Sequence, residues 1–186
     1  MSNASSVYTY LNNLGYDAQG EIEKPASYIY NNMPYNSINI IHGHGMAGAV
    51  RCELTNGAYT WLYSYPRSVL ASQDASFGNY NSTSLSRSKL LLYIACESAV
   101  SLNGYSMASA GYAKGAKCSI GFNNSVVGGD DWMRLFFQGL SQNKTIQQSR
   151  DYADAMYKQD YPIYDESESP AGHSLKWGNA NVRLRV

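Results

Sequence analysis

SINIIHGHG, at residues 37–45, decides the fold of this chain together with a second run, KLLLYIACES, at residues 89–98. Each run is a short apolar block that ends at a reactive side chain followed by small or polar residues. Such blocks are typical of buried parallel strands. Ligands of open α/β sheets bind beyond the carboxyl ends of the strands. The two runs therefore predict a histidine and a cysteine at one edge of a sheet, the pairing that activates a cysteine nucleophile.

Composition predicts a globular protein with one domain over residues 1–186. Lys plus Arg and Asp plus Glu balance at 14 each, so no basic excess indicates a nucleic-acid partner. No apolar stretch approaches the ~18 residues of a membrane span, so we expect a soluble chain without a membrane partner. Residues 1–6 are polar and are interpreted as disordered or cloning-derived. Compartment and oligomeric state stay open, although the charge-poor, tyrosine-rich composition leans toward export.

The order of the predicted elements indicates an α/β protein, a three-layer α/β/α sandwich around a mostly parallel sheet. A β-hairpin with an Asn-Gly turn follows the His-Gly run, and Thr145 with Gln148 predicts a capping box. The predicted helices are 7–14, 25–33, 107–113, 132–140 and 146–156, with a short one at 67–72 inside a long surface loop over 64–88. The predicted strands are 38–41, 49–54, 58–63, 90–95 and 117–122, with edge strands at 17–22 and 182–186, and 161–176 is predicted to be irregular.

The chemistry of the site follows from the two strand ends. A thiol attacks carbonyls as the thiolate, which a nearby imidazole helps to form. Cys96 is the predicted nucleophile because it ends its strand, whereas Cys52 and Cys118 fall within strands and are expected to be buried. His44 is the preferred base and His42 the alternative. The backbone N–H groups of Gly45 and Cys96 are the predicted oxyanion hole.

The order and spacing of these runs are similar to those of the clan CD caspase-like cysteine peptidases. His44 precedes Cys96 by 96 − 44 = 52 positions, and caspases place their histidine about 50 residues before the Ala-Cys pair. The later runs GAKCSIGF, at 115–122, and FFQGL, at 136–140, most resemble CHAT domains and clostripain-like peptidases. The resemblance implies a caspase-like fold, a His–Cys dyad of His44 and Cys96, no cofactor, and cleavage of a peptide or protein substrate.

Substrate preference is predicted from nearby carboxylates. Glu97 adjoins the nucleophile, and Asp130 and Asp131 follow the third parallel strand toward the same edge. Carboxylates in such a pocket would select Arg or Lys before the scissile bond, as in clostripain, gingipain and separase. The alternative is that Asp130 or Asp131 caps the helix that begins near Trp132.

Three other functions are compatible with the sequence. Gly104-Tyr105-Ser106-Met107-Ala108 approaches the nucleophile elbow of α/β-hydrolases, with Asp130 or Asp165 and then His173 in the chain order of that fold. A catalytically inactive caspase-like or CHAT-like domain could serve in binding. His42 and His44 would share one face of a strand, but they have no clear third metal ligand, so no metal site is predicted. The Asp-rich turn at 130–131 could contribute calcium ligands, but no calcium site is predicted there.

Overall fold

The chain forms a mixed α/β fold. A computed structural model describes residues 3–20, 23–162 and 166–184. The helices in these residues are α1 (Asn3–Asn13), α2 (Ala26–Asn32), α3 (Met107–Ala113), α4 (Gly129–Ser141) and α5 (Ile146–Asp160). The strands are β1 (Ile38–His42), β2 (His44–Met46), β3 (Ala49–Glu53), β4 (Tyr59–Tyr63), β5 (Ala75–Ser76), β6 (Leu90–Ile94), β7 (Cys118–Phe122) and β8 (Ser174–Gly178). The strands form two mixed sheets.

The first sheet has the order β1-β6-β7-β8, with β1, β6 and β7 parallel and β8 antiparallel to β7. Every residue of β6 and β7 is buried, which explains why both read as unbroken apolar runs. Leu90, Leu92 and Ile94 pack in a cluster with residues of α1, α4 and α5. Leu91 and Tyr93 pack on the opposite face, in a cluster with residues of α2, α3 and the second sheet. The first sheet is therefore covered on both faces.

The second sheet has the order β2-β3-β4-β5 and contains the predicted hairpin. Strands β3 and β4 pair antiparallel, and the turn between them has Gly57 at φ 78°, a left-handed conformation that glycine adopts without strain. Val50, Cys52 and Leu62 face the core. The opposite face of β4 carries the aromatic rings of Tyr59, Trp61 and Tyr63. The hairpin prediction is confirmed.

Several helix signals in the sequence are also confirmed. The Thr145 hydroxyl accepts from Gln148 N–H at 3.2 Å, and the Gln148 side chain accepts from Thr145 N–H at 3.0 Å. This reciprocal capping box starts α5 at the expected position. Helix α2 begins immediately after Pro25, which is its N-cap residue. A 3₁₀ turn over Met33–Tyr35 then ends the helical segment.

The long segment at 64–88 is more ordered than predicted. It lacks the predicted helix at 67–72 and instead contains β5 and a 3₁₀ turn at Phe77–Asn79. Phe77 and Leu85 are fully buried, and the Ser76 hydroxyl accepts from Gly78 N–H at 3.1 Å. Phe77 and Leu85 are separated mainly by Ser and Asn and show neither helical nor strand periodicity. The sequence pattern therefore does not predict that they are buried.

The chain ends and the C-terminal segment also differ from the prediction. Residues 17–20 form no strand, and the rest of that predicted edge strand, 21–22, lies outside the described residues. Helix α1 already begins at Asn3, inside the segment 1–6 that was expected to be disordered. Strand β8 lies partly within the segment predicted as irregular, because its partner β7 supplies hydrogen bonds that local sequence does not encode. Residues 181–184 form no strand, and 185–186 lie outside the described residues.

No helix in the described ranges combines the length and apolar character needed to cross a membrane.

We predict that the folded protein loses stability at alkaline pH, because Cys52 and Cys118 are buried. Burial, with a smaller contribution from Asp74, raises the pKa of the Cys52 thiol from 9.0 to about 12. Burial raises the pKa of Cys118 from 9.0 to about 11. In the unfolded chain both thiols ionise near their ordinary pKa, whereas in the folded chain they stay protonated. The unfolded state therefore binds fewer protons above about pH 9, and the free energy of unfolding falls as the pH rises from there through the folded pKa values.

Urea unfolding between about pH 8 and about pH 10.5 would measure this effect. The double variant Cys52→Ala/Cys118→Ala should show a flatter decline than the wild type. Cys96→Ala is the matched control. It keeps Cys52 and Cys118, so its free energy of unfolding should fall with pH as steeply as that of the wild type. Identical slopes for the wild type and the double variant would contradict the prediction.

Candidate functional site

The candidate site lies where β1 and β6 end. The two strands pair in parallel with His42 opposite Ile94, and Gly43 N–H donates to the Ile94 carbonyl at 3.2 Å. Cys96 follows two residues after Ile94 and is half-buried. Because paired strands lie about 4.8 Å apart, the residues that end or follow β1 and β6 are neighbours at this edge. The topology thus brings a histidine and a free thiol to one sheet edge.

Both side chains point to the same side of the first sheet. Ile38 and Ile40 pack on the cluster formed with α1, α4 and α5, so alternation along the strand places His42 toward the same side. Ile94 belongs to that cluster as well, and Cys96, which lies in the turn beyond the end of β6, contacts Val126 through its sulfur. The half-buried Val126, which lies between β7 and α4, also packs on this cluster.

The Cys96 sulfur is held by the backbone of the loop that follows β7. Val126 N–H donates to Cys96 Sγ at 3.3 Å. Among the described residues, no imidazole hydrogen-bonds this sulfur. The sulfur is therefore positioned by the main chain of this loop.

The turn that contains Cys96 is held in an unusual conformation. Glu97 has a φ of 53°, in the left-handed region that non-glycine residues seldom adopt. Its N–H donates to the Asn124 carbonyl at 2.9 Å. The buried Ser98 hydroxyl donates to the Ala95 carbonyl at 2.8 Å and accepts from Phe122 N–H at 3.0 Å. These bonds tie the turn to the end of β7 and hold the strained residue in place.

His42 has a carboxylate partner in the first turn of α4. Its Nδ1 lies 3.4 Å from Asp130 Oδ1, and both side chains are about half exposed, at 52% and 49%. Helix α4 begins at Gly129, with Gly128 as an N-cap that offers no side-chain hydrogen bond. Asp130 therefore sits inside the helix and does not cap it, contrary to the capping alternative. A carboxylate on Nδ1 orients the ring and leaves Nε2 available for a proton.

His44 lies in a different environment. It belongs to β2, where it pairs with Arg51, and its Nε2 is 3.8 Å from Glu53 Oε1. Because Gly45 and its partner Val50 face the core side of the second sheet, alternation puts His44 on the outer face. Its side chain is 73% exposed. Gly43 separates the two strands, so His42 and His44 lie in different sheets and do not share a strand face as expected.

Gly45 packs directly on the peptide of the nucleophile. A Cβ atom at this position would overlap the Cys96 carbonyl oxygen and lie 2.9 Å from the Cys96 nitrogen. Only glycine allows this approach. The two residues predicted to form the oxyanion hole are therefore adjacent in the fold.

The three carboxylates predicted to bind substrate have different partners. The exposed Glu97 accepts from Ala47 N–H through Oε2 at 3.2 Å, and Asp130 faces His42. Asp131 lies 3.8 Å from the Arg134 guanidinium, and its hydrogen bond raises the pKa of the Tyr161 hydroxyl. Of the three, Glu97 is the closest to Cys96 along the chain and the most exposed.

The serine alternative finds no support in the geometry. Ser106 is fully buried, and its hydroxyl accepts from Ser109 N–H at 3.0 Å in the capping box that starts α3. It therefore has a structural role and no exposure to a substrate. His173 contacts Asn123 Oδ1 at 3.1 Å, and Asp165 lies outside the described residues.

No cluster of three or more metal-ligating His, Cys, Asp or Glu side chains occurs among the residues that the structure describes. His42 and His44 each face a different carboxylate.

Asn124 contacts the site and was not predicted from the sequence. Its backbone carbonyl holds Glu97, and its side chain bonds to the segment before β8. Its position in the sequence could have indicated this contact. Asn123 and Asn124 follow β7 directly and so lie at the same sheet edge as Cys96.

Comparisons of the chain with family models, with curated proteins and with solved structures find no match.

Ser98→Ala is expected to destabilise the fold. It leaves the buried Phe122 N–H without its partner, which costs about 1–3 kcal/mol for an unsatisfied buried group, whereas the Ala95 carbonyl keeps its bond from the Ser98 N–H. Urea unfolding would measure the change. Ser101→Ala is the matched control, because Ser101 is an exposed serine in the same loop and its loss should change little. Equal stabilities of the two variants would contradict the assigned role of Ser98.

Proposed function

We propose that this chain is a cysteine endopeptidase in which Cys96 is the nucleophile, His42 the general base, and Asp130 the group that orients His42. The observation that supports it most strongly is the shared edge of β1 and β6, with a half-buried free thiol following one strand and a carboxylate-paired imidazole ending the other. Nucleophile, base and orienting acid are the parts that thiol-dependent acyl transfer needs.

The proposed reaction uses these groups in order. His42 Nε2 accepts the thiol proton, and Cys96 Sγ attacks the carbonyl carbon of the scissile peptide. The N–H groups of Gly45 and Cys96 would donate to the oxygen that becomes negative. The imidazolium then returns the proton to the departing amine, and an acyl-enzyme remains on sulfur. Water, deprotonated by His42, hydrolyses the thioester and restores the thiol.

The finer fold assignment belongs to the same proposal. A three-layer α/β/α sandwich with caspase-like topology agrees with the parallel order β1-β6-β7, with helices packed on both faces, and with the hairpin after the His-Gly run. Residues 1–186 would then form one peptidase domain.

The geometry supports His42 over His44 as the base. His42 lies on the strand adjacent to β6, on the side of the sheet where Val126, which bonds to the Cys96 sulfur, packs. His44 lies on the outer face of the second sheet, and Gly45, which faces the opposite way, is the residue that contacts Cys96. A carboxylate on Nδ1 of His42 also fixes the tautomer that a base requires.

Four variants test the assignment on a fluorogenic peptide library. Cys96→Ala should abolish cleavage. His42→Ala should lower kcat/KM by about 10²- to 10⁴-fold, the usual contribution of general base catalysis. Asp130→Asn keeps the size of the side chain but removes its charge, and we expect a smaller loss. His44→Ala is the matched control and should retain most of the wild-type activity.

A large loss in His44→Ala with normal activity in His42→Ala would reverse the assignment of the base. Thermal unfolding of each variant would show that any loss is chemical and does not come from an altered fold.

We also propose cleavage after Arg or Lys. Glu97 supports it, because this exposed carboxylate is next to the nucleophile, and Ala47 N–H, bonded to its Oε2, holds it there. Glu97→Gln keeps a side-chain oxygen that can accept from Ala47 N–H, but it removes the negative charge. We expect its kcat/KM for basic residues to fall toward that for a neutral isostere such as Gln, measured by positional profiling. A wild-type preference for Asp or for apolar residues would end this part of the proposal.

A catalytically inactive binding domain is the second candidate. The observation in its favour is that both imidazoles contact carboxylates, and no described imidazole hydrogen-bonds Cys96 Sγ. Binding would then use the same edge without chemistry. Wild-type protein that is folded but inert toward the whole peptide library would favour this candidate.

A further inference from the structure

Two segments at the site are joined by an extensive set of hydrogen bonds. The site loop is residues 123–127, between β7 and α4, and the strap is residues 166–173, before β8. Asn123 N–H donates to the His173 carbonyl at 3.1 Å, and Val127 N–H donates to the Glu168 carbonyl at 3.0 Å. The His173 ring contacts Asn123 Oδ1 at 3.1 Å. The strap therefore bonds to the site loop at both of its ends.

Asn124 makes the central contacts between the two segments. Its side-chain Nδ2 donates to the Ser167 carbonyl at 2.9 Å and to the Ser169 carbonyl at 3.0 Å. Its buried Oδ1 has no hydrogen-bond partner. Two carbonyls facing one nitrogen require a group with two N–H donors, and among side chains of this size only Asn supplies them. A flipped amide would direct its oxygen at both carbonyls, so the observed orientation is the favourable one.

The same loop contacts the nucleophile on its other side. The Asn124 carbonyl accepts from Glu97 N–H at 2.9 Å, and Val126 N–H donates to Cys96 Sγ at 3.3 Å. A displacement of the loop by a fraction of an ångström would lengthen both bonds. The Asn124 side chain therefore joins the strap to the part of the loop that bonds to Cys96 and Glu97, between the main-chain bonds of Asn123 and Val127.

We propose that Asn124 is a positioning residue, which anchors the site loop to the strap and so fixes Cys96 Sγ and the turn at Glu97. This inference rests on the proposed function for its catalytic consequence, but the placement of the sulfur does not depend on peptidase activity. Asn124 does not touch the reacting atoms; it acts through the Val126 and Glu97 bonds. The strap thereby becomes part of the active site, although it contributes none of the reacting groups.

Asn124→Asp is the sharpest variant, because it keeps the size of the side chain but directs carboxylate oxygens at two carbonyls. Asn124→Ala removes the donors without adding charge and serves if the first variant does not fold. Asn123→Ala is the matched control, because Asn123 belongs to the same loop and bonds to the same strap but has no bond to the nucleophile turn.

Two readouts separate positioning from general stability. The first is the rate of Cys96 alkylation by iodoacetamide in native protein, followed by mass spectrometry with Cys52 and Cys118 as buried internal references. Loss of the Val126 bond should slow it about 2- to 10-fold, the equivalent of one net hydrogen bond. The second is peptide hydrolysis, where misplacement of the sulfur should lower kcat by about 10- to 100-fold with little change in KM.

Alkylation needs no substrate, so it tests the positioning of sulfur even if the chain is no peptidase. Folded Asn124 variants that alkylate at the wild-type rate, or an Asn123→Ala variant that slows alkylation equally, would overturn the role of Asn124. Slower alkylation of the Asn124 variants, together with a wild type inert toward the peptide library, would support the positioning role and reject the proposed function.

Discussion

The parallel pairing of β1 with β6 is the constraint on which the site depends. Its register sets His42 opposite Ile94, and both chains leave the sheet at the same edge. A slip of one residue would turn every side chain of the strand to the opposite face, because strand alternation has a period of two. Such a slip would move Ile38 and Ile40 away from the helices they pack against, and would direct His42 away from Asp130. Core packing and site geometry are therefore fixed by one choice of register.

The same argument explains why an apolar pattern carries functional information. On β6 the even-numbered residues Leu90, Leu92 and Ile94 contact the cluster that contains α4. Helix α4 begins at Gly129, and a Cβ atom on Gly129 would lie only 2.6 Å from Ile94 Cγ2. This close approach brings the first turn of α4, with Asp130, to the end of β6 and to His42. The position of a carboxylate at the site thus follows from the absence of a side chain one residue earlier.

The sequence predicts local features better than contacts between distant segments. The central strands, the Asn-Gly hairpin and the Thr145 capping box have signals within a few residues, and each forms as predicted. Strand β8 exists because β7 offers it an edge, so its own residues did not reveal it. Spacing along the chain could not show whether His42 or His44 lies beside Cys96. The two histidines belong to different sheets, because the first sheet ends at His42 and the second begins at His44. Asn124 was missed because its amide contacts carbonyls 43 and 45 positions away.

The turn after the nucleophile shows how the fold maintains a strained residue. A left-handed φ at a non-glycine position costs on the order of 1 kcal/mol or more, and glycine at 97 would avoid it. Glycine would also lose the carboxylate that accepts from Ala47 N–H and so links the second sheet to the turn. The Glu97 N–H bond to Asn124 and the two Ser98 bonds hold the backbone from the other side. The strain is therefore offset by contacts from both sheets and the loop after β7, and these contacts converge on the residues around Cys96. The Cys96 thiol is thus held in position by the fold itself, before any ligand binds, and the proposed proximity-driven catalysis would need that preorganisation.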